Sequence, residues 1–392
     1  ARHFKGSGRK NRCGMKNIKD NLASIFWSTI TVVFVLLVHN GREPLYLIAL
    51  TGIPILVAIF YYKRSLFPLA AYLLALGVLG RFTRYYRQNY ASDTLLATRD
   101  YIGYMLAGKN VYRELIMTNF GLTPFSYLPA SLFWYLPAYV MTVDLRFFEM
   151  LVATLVPVAF YMYGRLTKSW FFLPLLAVVA VTPFLLDLSA DGSNDNSGIF
   201  LLLLSLIFFR KAQITKNMKL LYLSAVMLAV AAAFKHYVFF LLAFFLPYVF
   251  VLRKTLPQGP AKFFLLFFTT IGLISLPFIL GAPDGFIRAL TYVELRPTYP
   301  IWGWNIWAAL RDGFGFTLPV QTMWMIRLIC TIGTVLVTLK CMTYKRVWET
   351  YLGAIMTMLV YLVLSWWTTY AHFTFLVPLM GLLAIEHALD TV

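Results

Sequence analysis

Asp93, Asp100 and Glu114 lie among Arg81, Arg84, Arg87, Arg99, Lys109 and Arg113 in the segment from Arg81 to Val140, the one long stretch of this 392-residue chain that a lipid bilayer could not absorb. Asp93 and Asp100 are seven residues apart, nearly two helical turns, which leaves both on one face of a helix. A carboxylate kept ionised in a nearly dry pocket can take a proton from a hydroxyl as a general base. The same residues also fit a structural role. Ser92 and Asp93 are good amino-terminal caps for a helix starting at Thr94, and Asp100 has Arg99 and Arg113 as ready ion-pair partners. Glu114, beside Arg113, reads as a solvated surface charge.

Further along the chain, basic and aromatic residues recur at points that suit a phosphate and a sugar ring. Arg81, Arg84 and Arg87, every third residue, form a cationic edge suited to a phosphate or to anionic lipid headgroups. Lys235 and His236 end the alanine-rich run AVMLAVAAAFKHYVFF, and a lysine at that depth needs an anion, a carboxylate or a snorkelling route to water. In YVELRPTYPIWGW, Glu294 and Arg296 stand near Tyr299, Trp302 and Trp304, a set that fits a sugar ring and a phosphate and equally an interfacial anchor. His372 in WWTTYAHF can donate to a phosphate oxygen or rest as a satisfied interfacial histidine. Asp191, Asn194, Asp195 and Asn196 carry cation-ligating atoms without calcium-loop spacing, and read more simply as a solvated turn. The three cysteines, Cys13, Cys330 and Cys341, have no paired spacing, so neither a metal site nor a disulfide framework is expected.

The elements that must position these groups are membrane spans. The chain is 60% hydrophobic and 13% charged, against roughly 25% charged in soluble domains. Apolar runs of spanning length recur about twelve times. The net charge of +18 sits in short loops between those runs, where membrane orientation explains it and nucleic-acid binding does not. A basic cytoplasmic tail (1–21) and an amino-terminal hairpin (22–64) precede the main transmembrane domain (65–392). Its spans fall near 65–82, 147–164, 170–187, 197–210, 219–234, 237–252, 262–280, 317–339, 348–366 and 371–388. Phe125 to Met141, with Pro129 and Pro137 inside an aromatic comb, is read as an interfacial helix. With that choice most of the 34 Lys and Arg fall inside, and of the 16 acidic residues only Asp20, Glu349, Glu386 and Asp390 do. The expected architecture is therefore an all-α polytopic bundle in the cell membrane with both termini cytoplasmic. Its large outer loops, 83–146 and 281–316, place the chemistry at the outer face.

The order of SDTLLATRD in an outer loop, then AGKNVY, FSYLP, a DGSNDN turn opening a leucine-rich span, and an alanine-rich span ending in Lys235 resembles the GT-C superfamily of integral-membrane glycosyltransferases. The resemblance is greatest to the bacterial branch that includes polyprenyl-phosphate-mannose-dependent mannosyltransferases, and it covers roughly residues 80–255. It implies transfer of a sugar from a polyprenyl-phosphate sugar to a lipid, glycan or protein hydroxyl, usually with inversion. By position it implies Asp93 as the base with Asp100 second, and Lys235 as the family's basic residue, followed here by His236 where proline is common. Arg84, Arg87, His236, Glu294, Arg296, Trp304 and His372 complete the candidate substrate contacts. Because a lipid phosphate is already a good leaving group, such a site needs a base and cations but no acid, metal or other cofactor. Expected partners are the lipid-linked donor, membrane lipids, the acceptor and a possible membrane complex, with no nucleic acid. The alternatives are a transporter or lipid flippase, for which Arg327 is the clearest charge inside a span, and a non-catalytic subunit of a larger complex.

Overall fold

The computed structural model describes residues 67–118, 121–167, 172–251, 259–295 and 301–390. The basic tail, the amino-terminal hairpin and Arg296 lie outside the described residues. The fold is mostly helical. Among the described residues, five helices are long and apolar enough to cross a membrane, and four shorter apolar helices accompany them. These coincide with nine of the expected spans; the expected total of twelve is not reached among the described residues. Two small ladders are added to the expected all-helical plan. In the first, Leu115–Thr118 pairs antiparallel with Gly121–Pro124; in the second, Trp302–Gly303 pairs parallel with Trp367–Thr368.

Helix α1 (Phe67–Arg87) buries a stripe of Leu69, Leu73, Leu76 and Gly80, the spacing of one helical face, against α4 (Leu145–Thr167) and α5 (Phe172–Val181). Between α1 and α4 run α2 (Thr94–Leu106), the first ladder and α3 (Ala130–Val140). At 1.5 Å per residue α3 extends only about 16 Å, roughly half a hydrocarbon core, which agrees with the interfacial reading of this segment. Proline at the first position of α6 (Pro183–Asp187) breaks it from α5. The centre of the bundle is α7 (Asp195–Thr215) packed on α4 and on α8 (Met218–Phe234). The fully buried Ala225, Ala229 and Ala232 of α8 bring its backbone close to its neighbours.

A single 3-10 turn (His236–Val238) leads into α9 (Phe239–Val251), followed by α10 (Gly259–Gly281) and α11 (Pro283–Leu295). The chain ends with α12 (Ile306–Phe314), α13 (Val320–Cys341), α14 (Val347–Val363), α15 (Tyr370–Phe373) and α16 (Leu376–Asp390). α10 and α13 present most of their apolar side chains outward, as helices bathed in hydrocarbon do. Away from the loops that join α1 to α4, the bundle encloses a polar network. Glu386 of α16 accepts from the Tyr163 hydroxyl at 2.7 Å and pairs with Arg210 at 3.0 Å. Tyr163 also meets the Tyr351 hydroxyl at 2.9 Å.

Candidate active site

The turn between α6 and α7, expected to be solvated, is buried. Asp191, Ser193, Asn194, Asp195 and Asn196 all lie inside the protein, Asn194 and Asn196 completely. Sequence composition misleads here because the loop that carries Asp93 folds over the turn. The amides of Ala91 and Ser92 donate to the Asp191 carbonyl at 2.8 and 2.7 Å, and the Leu95 amide donates to the Gly192 carbonyl at 2.9 Å. Gly192 has φ +94°, and a Cβ there would stand 2.5 Å from the Ser92 carbonyl oxygen, so this latch requires glycine. Burial pushes the Asp191 carboxyl up to about 6, against an opposing hydrogen bond from the Ser193 amide at 2.8 Å.

The turn also supplies Asp195, in the first turn of α7, which pairs with Lys235 at 3.0 Å. Lys235 follows the last residue of α8 in extended backbone, so its side chain is turned out of the alanine row toward α7. Its ammonium lies 5.2 Å from the centre of the Tyr127 ring, and the Tyr237 hydroxyl donates to Asp195 at 3.4 Å. His236, open to solvent between two buried neighbours, shares a 2.8 Å hydrogen bond with the Tyr361 hydroxyl through Nε2. Arg327 from α13 stacks on that same Tyr361 ring at 3.8 Å and donates to the Ser365 hydroxyl at 3.3 Å. His236 and His372 both border the Tyr237 ring, at 5.6 and 6.4 Å between ring centres. His372 accepts the Thr369 amide at Nδ1, 3.2 Å, which sets the proton of its neutral ring on Nε2. Four basic side chains, from the residue after α8, the 3-10 turn, α13 and α15, are thus gathered in one place. A cluster of this kind can hold one anionic group and stabilise negative charge that develops on it.

The other candidates are placed unequally. Asp93 occupies the amino-terminal cap position of α2, as its alternative structural reading expects, but its side chain makes no capping hydrogen bond. Asp100 accepts both Nε and Nη2 of Arg99 on one oxygen, at 3.2 and 3.1 Å, on the exposed face of α2. The arginines of α1 do not form a shared edge. Arg81 is buried and donates to the carbonyls of Gly77, Ala180 and Val179, Arg84 pairs with Asp187 at 3.0 Å, and Arg87 is exposed at the helix end. The Trp304 ring lies 6.3 Å from Tyr370 and 5.8 Å from Phe184, and it lines an open cavity of about 550 Å³. Glu294 falls in the last turn of α11.

Sequence reasoning named Lys235, His236 and His372 but gave no role to Tyr237 and Tyr361, and treated Arg327 only as a buried charge. Aromatic residues inside apolar runs carry no signal that distinguishes them from core. Among the described residues no group of His, Cys, Asp and Glu is arranged to hold a metal ion. No protein-family model matches the sequence, and no curated protein matches it.

Proposed function

We propose that this protein is an integral-membrane glycosyltransferase that moves a sugar from a polyprenyl-phosphate donor to an acceptor hydroxyl at the outer membrane face. The observation that carries this reading is the gathering of Lys235, His236, Arg327 and His372 around Asp195, Tyr237 and Tyr361, under a loop whose residues on either side of Asp93 bond to the same turn. In this scheme Asp93 takes the proton of the acceptor hydroxyl. The acceptor oxygen attacks the anomeric carbon, the bond from that carbon to the phosphate oxygen breaks, and polyprenyl phosphate leaves with the bonding pair. The basic cluster accepts the added charge, with the Nε2–H of His372 and the Lys235 ammonium as donors. Asp195 keeps Lys235 protonated and oriented between turnovers.

The test is transfer from polyprenyl-phosphate sugars by purified protein in vesicles. Asp93→Asn is expected to abolish transfer while the protein still inserts and folds, and Lys235→Met to reduce it by about a hundredfold or more through loss of charge stabilisation. Full activity of an Asp93→Asn, Asp100→Asn double variant would remove the assignment of the base. Arg327, a charge within a span, also suits a transporter. Vesicles that translocate the lipid without forming a glycosidic bond would decide for that reading.

A further inference from the structure

Asp100 sits on the same helix as Asp93, seven residues and therefore about 10 Å further along the axis. There it lines an open cleft of about 350 Å³ between α2 and α3, together with Arg99, Gly103, Tyr104 and Tyr139. One lining residue is a glycine: a Cβ on Gly103 would stand 3.2 Å from the Tyr139 hydroxyl, so a branched side chain there would press on the Tyr139 ring and narrow the cleft. Two phenol rings border it, and Lys109 lies 5.0 Å from the centre of the Tyr104 ring.

The electrostatics select the ligand class. Each cation around the cleft has its own carboxylate, Arg99 with Asp100 at 3.1 Å and Lys109 with Glu114 at 3.9 Å. A cleft so compensated has little attraction for a phosphate or an anionic headgroup. A guanidinium beside a carboxylate instead offers donors and an acceptor side by side, the pattern that neighbouring sugar hydroxyls satisfy from one ring face. Aromatic rings supply the apolar complement for the C–H face of the same sugar.

Resting on the glycosyl-transfer reading, we propose that this cleft is an acceptor-glycan subsite. It holds an inner unit of an oligosaccharide whose terminal hydroxyl lies at Asp93, because 10 Å of helix, by the same rise of about 1.5 Å per residue, is longer than one sugar ring. The acceptor is on this account a glycan of more than one unit, and Asp100 is a binding residue and not a second base.

The experiment is binding by full-length Asp93→Asn protein in detergent of labelled gluco-, manno-, galacto- and arabino-oligosaccharides, monosaccharide to tetrasaccharide, with inorganic phosphate as competitor. At least one series should bind with affinity that rises with length. Asp100→Asn and Gly103→Val in the same background should each weaken it about tenfold, the loss of one charge-assisted hydrogen bond or of the space itself. Gly313→Ala, at an open position outside the cleft, should leave it unchanged. Binding by none of the series, equal binding by both cleft variants, or displacement by phosphate each overturns the proposal. The two readings fail separately: glycan binding through this cleft by a protein that transfers no sugar overturns the reaction alone. Transfer by a Gly103→Val enzyme with unchanged acceptor KM overturns the cleft alone.

Discussion

Burial keeps the Asp191 carboxyl protonated up to about pH 6, from an ordinary value of 3.8. In the unfolded chain the group ionises near that ordinary value, so between the two the unfolded state binds fewer protons and stability falls as pH rises. Above about pH 6 the loss is complete, and two pKa units correspond to about 3 kcal/mol. Asp191→Asn retains an oxygen acceptor for the Ser193 amide and removes the ionisation. Its thermal midpoint in detergent should exceed that of the wild type at pH 7.5, and the difference should shrink toward zero as pH falls below the ordinary carboxylate value. A variant that is less stable at neutral pH would show that Asp191 is ionised against an unrecognised cation. None of this was legible in the string DGSNDN, whose polarity points to water; the burial comes from a loop about a hundred residues earlier in the sequence.

At the scale of elements, two joints hold the connecting segments to the bundle. Arg81 satisfies the last carbonyls of α5, which Pro183 prevents from continuing into α6, through 3.0 and 3.4 Å bonds to Ala180 and Val179. Arg81→Met should lower stability by about 3 kcal/mol, measured by thermal unfolding, because several buried acceptors lose a charged donor at once. Arg81→Lys should recover only part of this, since an ammonium lacks the planar fork. The second joint is Gly303, at φ +98°, where a Cβ would stand 1.9 Å from the Thr368 oxygen. Gly303→Ala should release the strand that Trp304 anchors to Thr368, seen as faster proteolysis between residues 302 and 316. Gly313→Ala, at an open position, should leave the cleavage rate unchanged. The helices themselves were readable, since apolar runs of spanning length leave few alternatives. The joints were not, because Arg81 and its acceptors on α5 are 98 and 99 residues apart and a hydropathy pattern records no partners.

For the whole molecule, the disposition of charge sets an orientation that labelling can check. With Asp93 outside, Lys109→Cys in a protein stripped of its native cysteines should react with an impermeant maleimide in intact cells. Cys341, exposed at the far end of α13, should react as the sole cysteine only after permeabilisation. The reverse pattern would invert the topology and move the candidate site to the inner face. The basic cluster draws on the residue after α8, on α13 and on α15, so it exists only when the two halves of the bundle are together. That is why its parts, Lys235, His236 and His372, could be named one by one from their positions at span ends, whereas Tyr361 and Arg327 could not be joined to them.

The network around Glu386 bears on how the protein is made. Tyr163 and Glu386 are separated by 223 residues, and α16, which carries the partner of Arg210, is the last of the described helices in chain order. Among the described residues, the carboxylate that pairs with Arg210 is supplied only by α16. Closure of the described bundle around this network therefore waits for α16, whose one carboxylate serves both the Arg210 guanidinium and the Tyr163 hydroxyl.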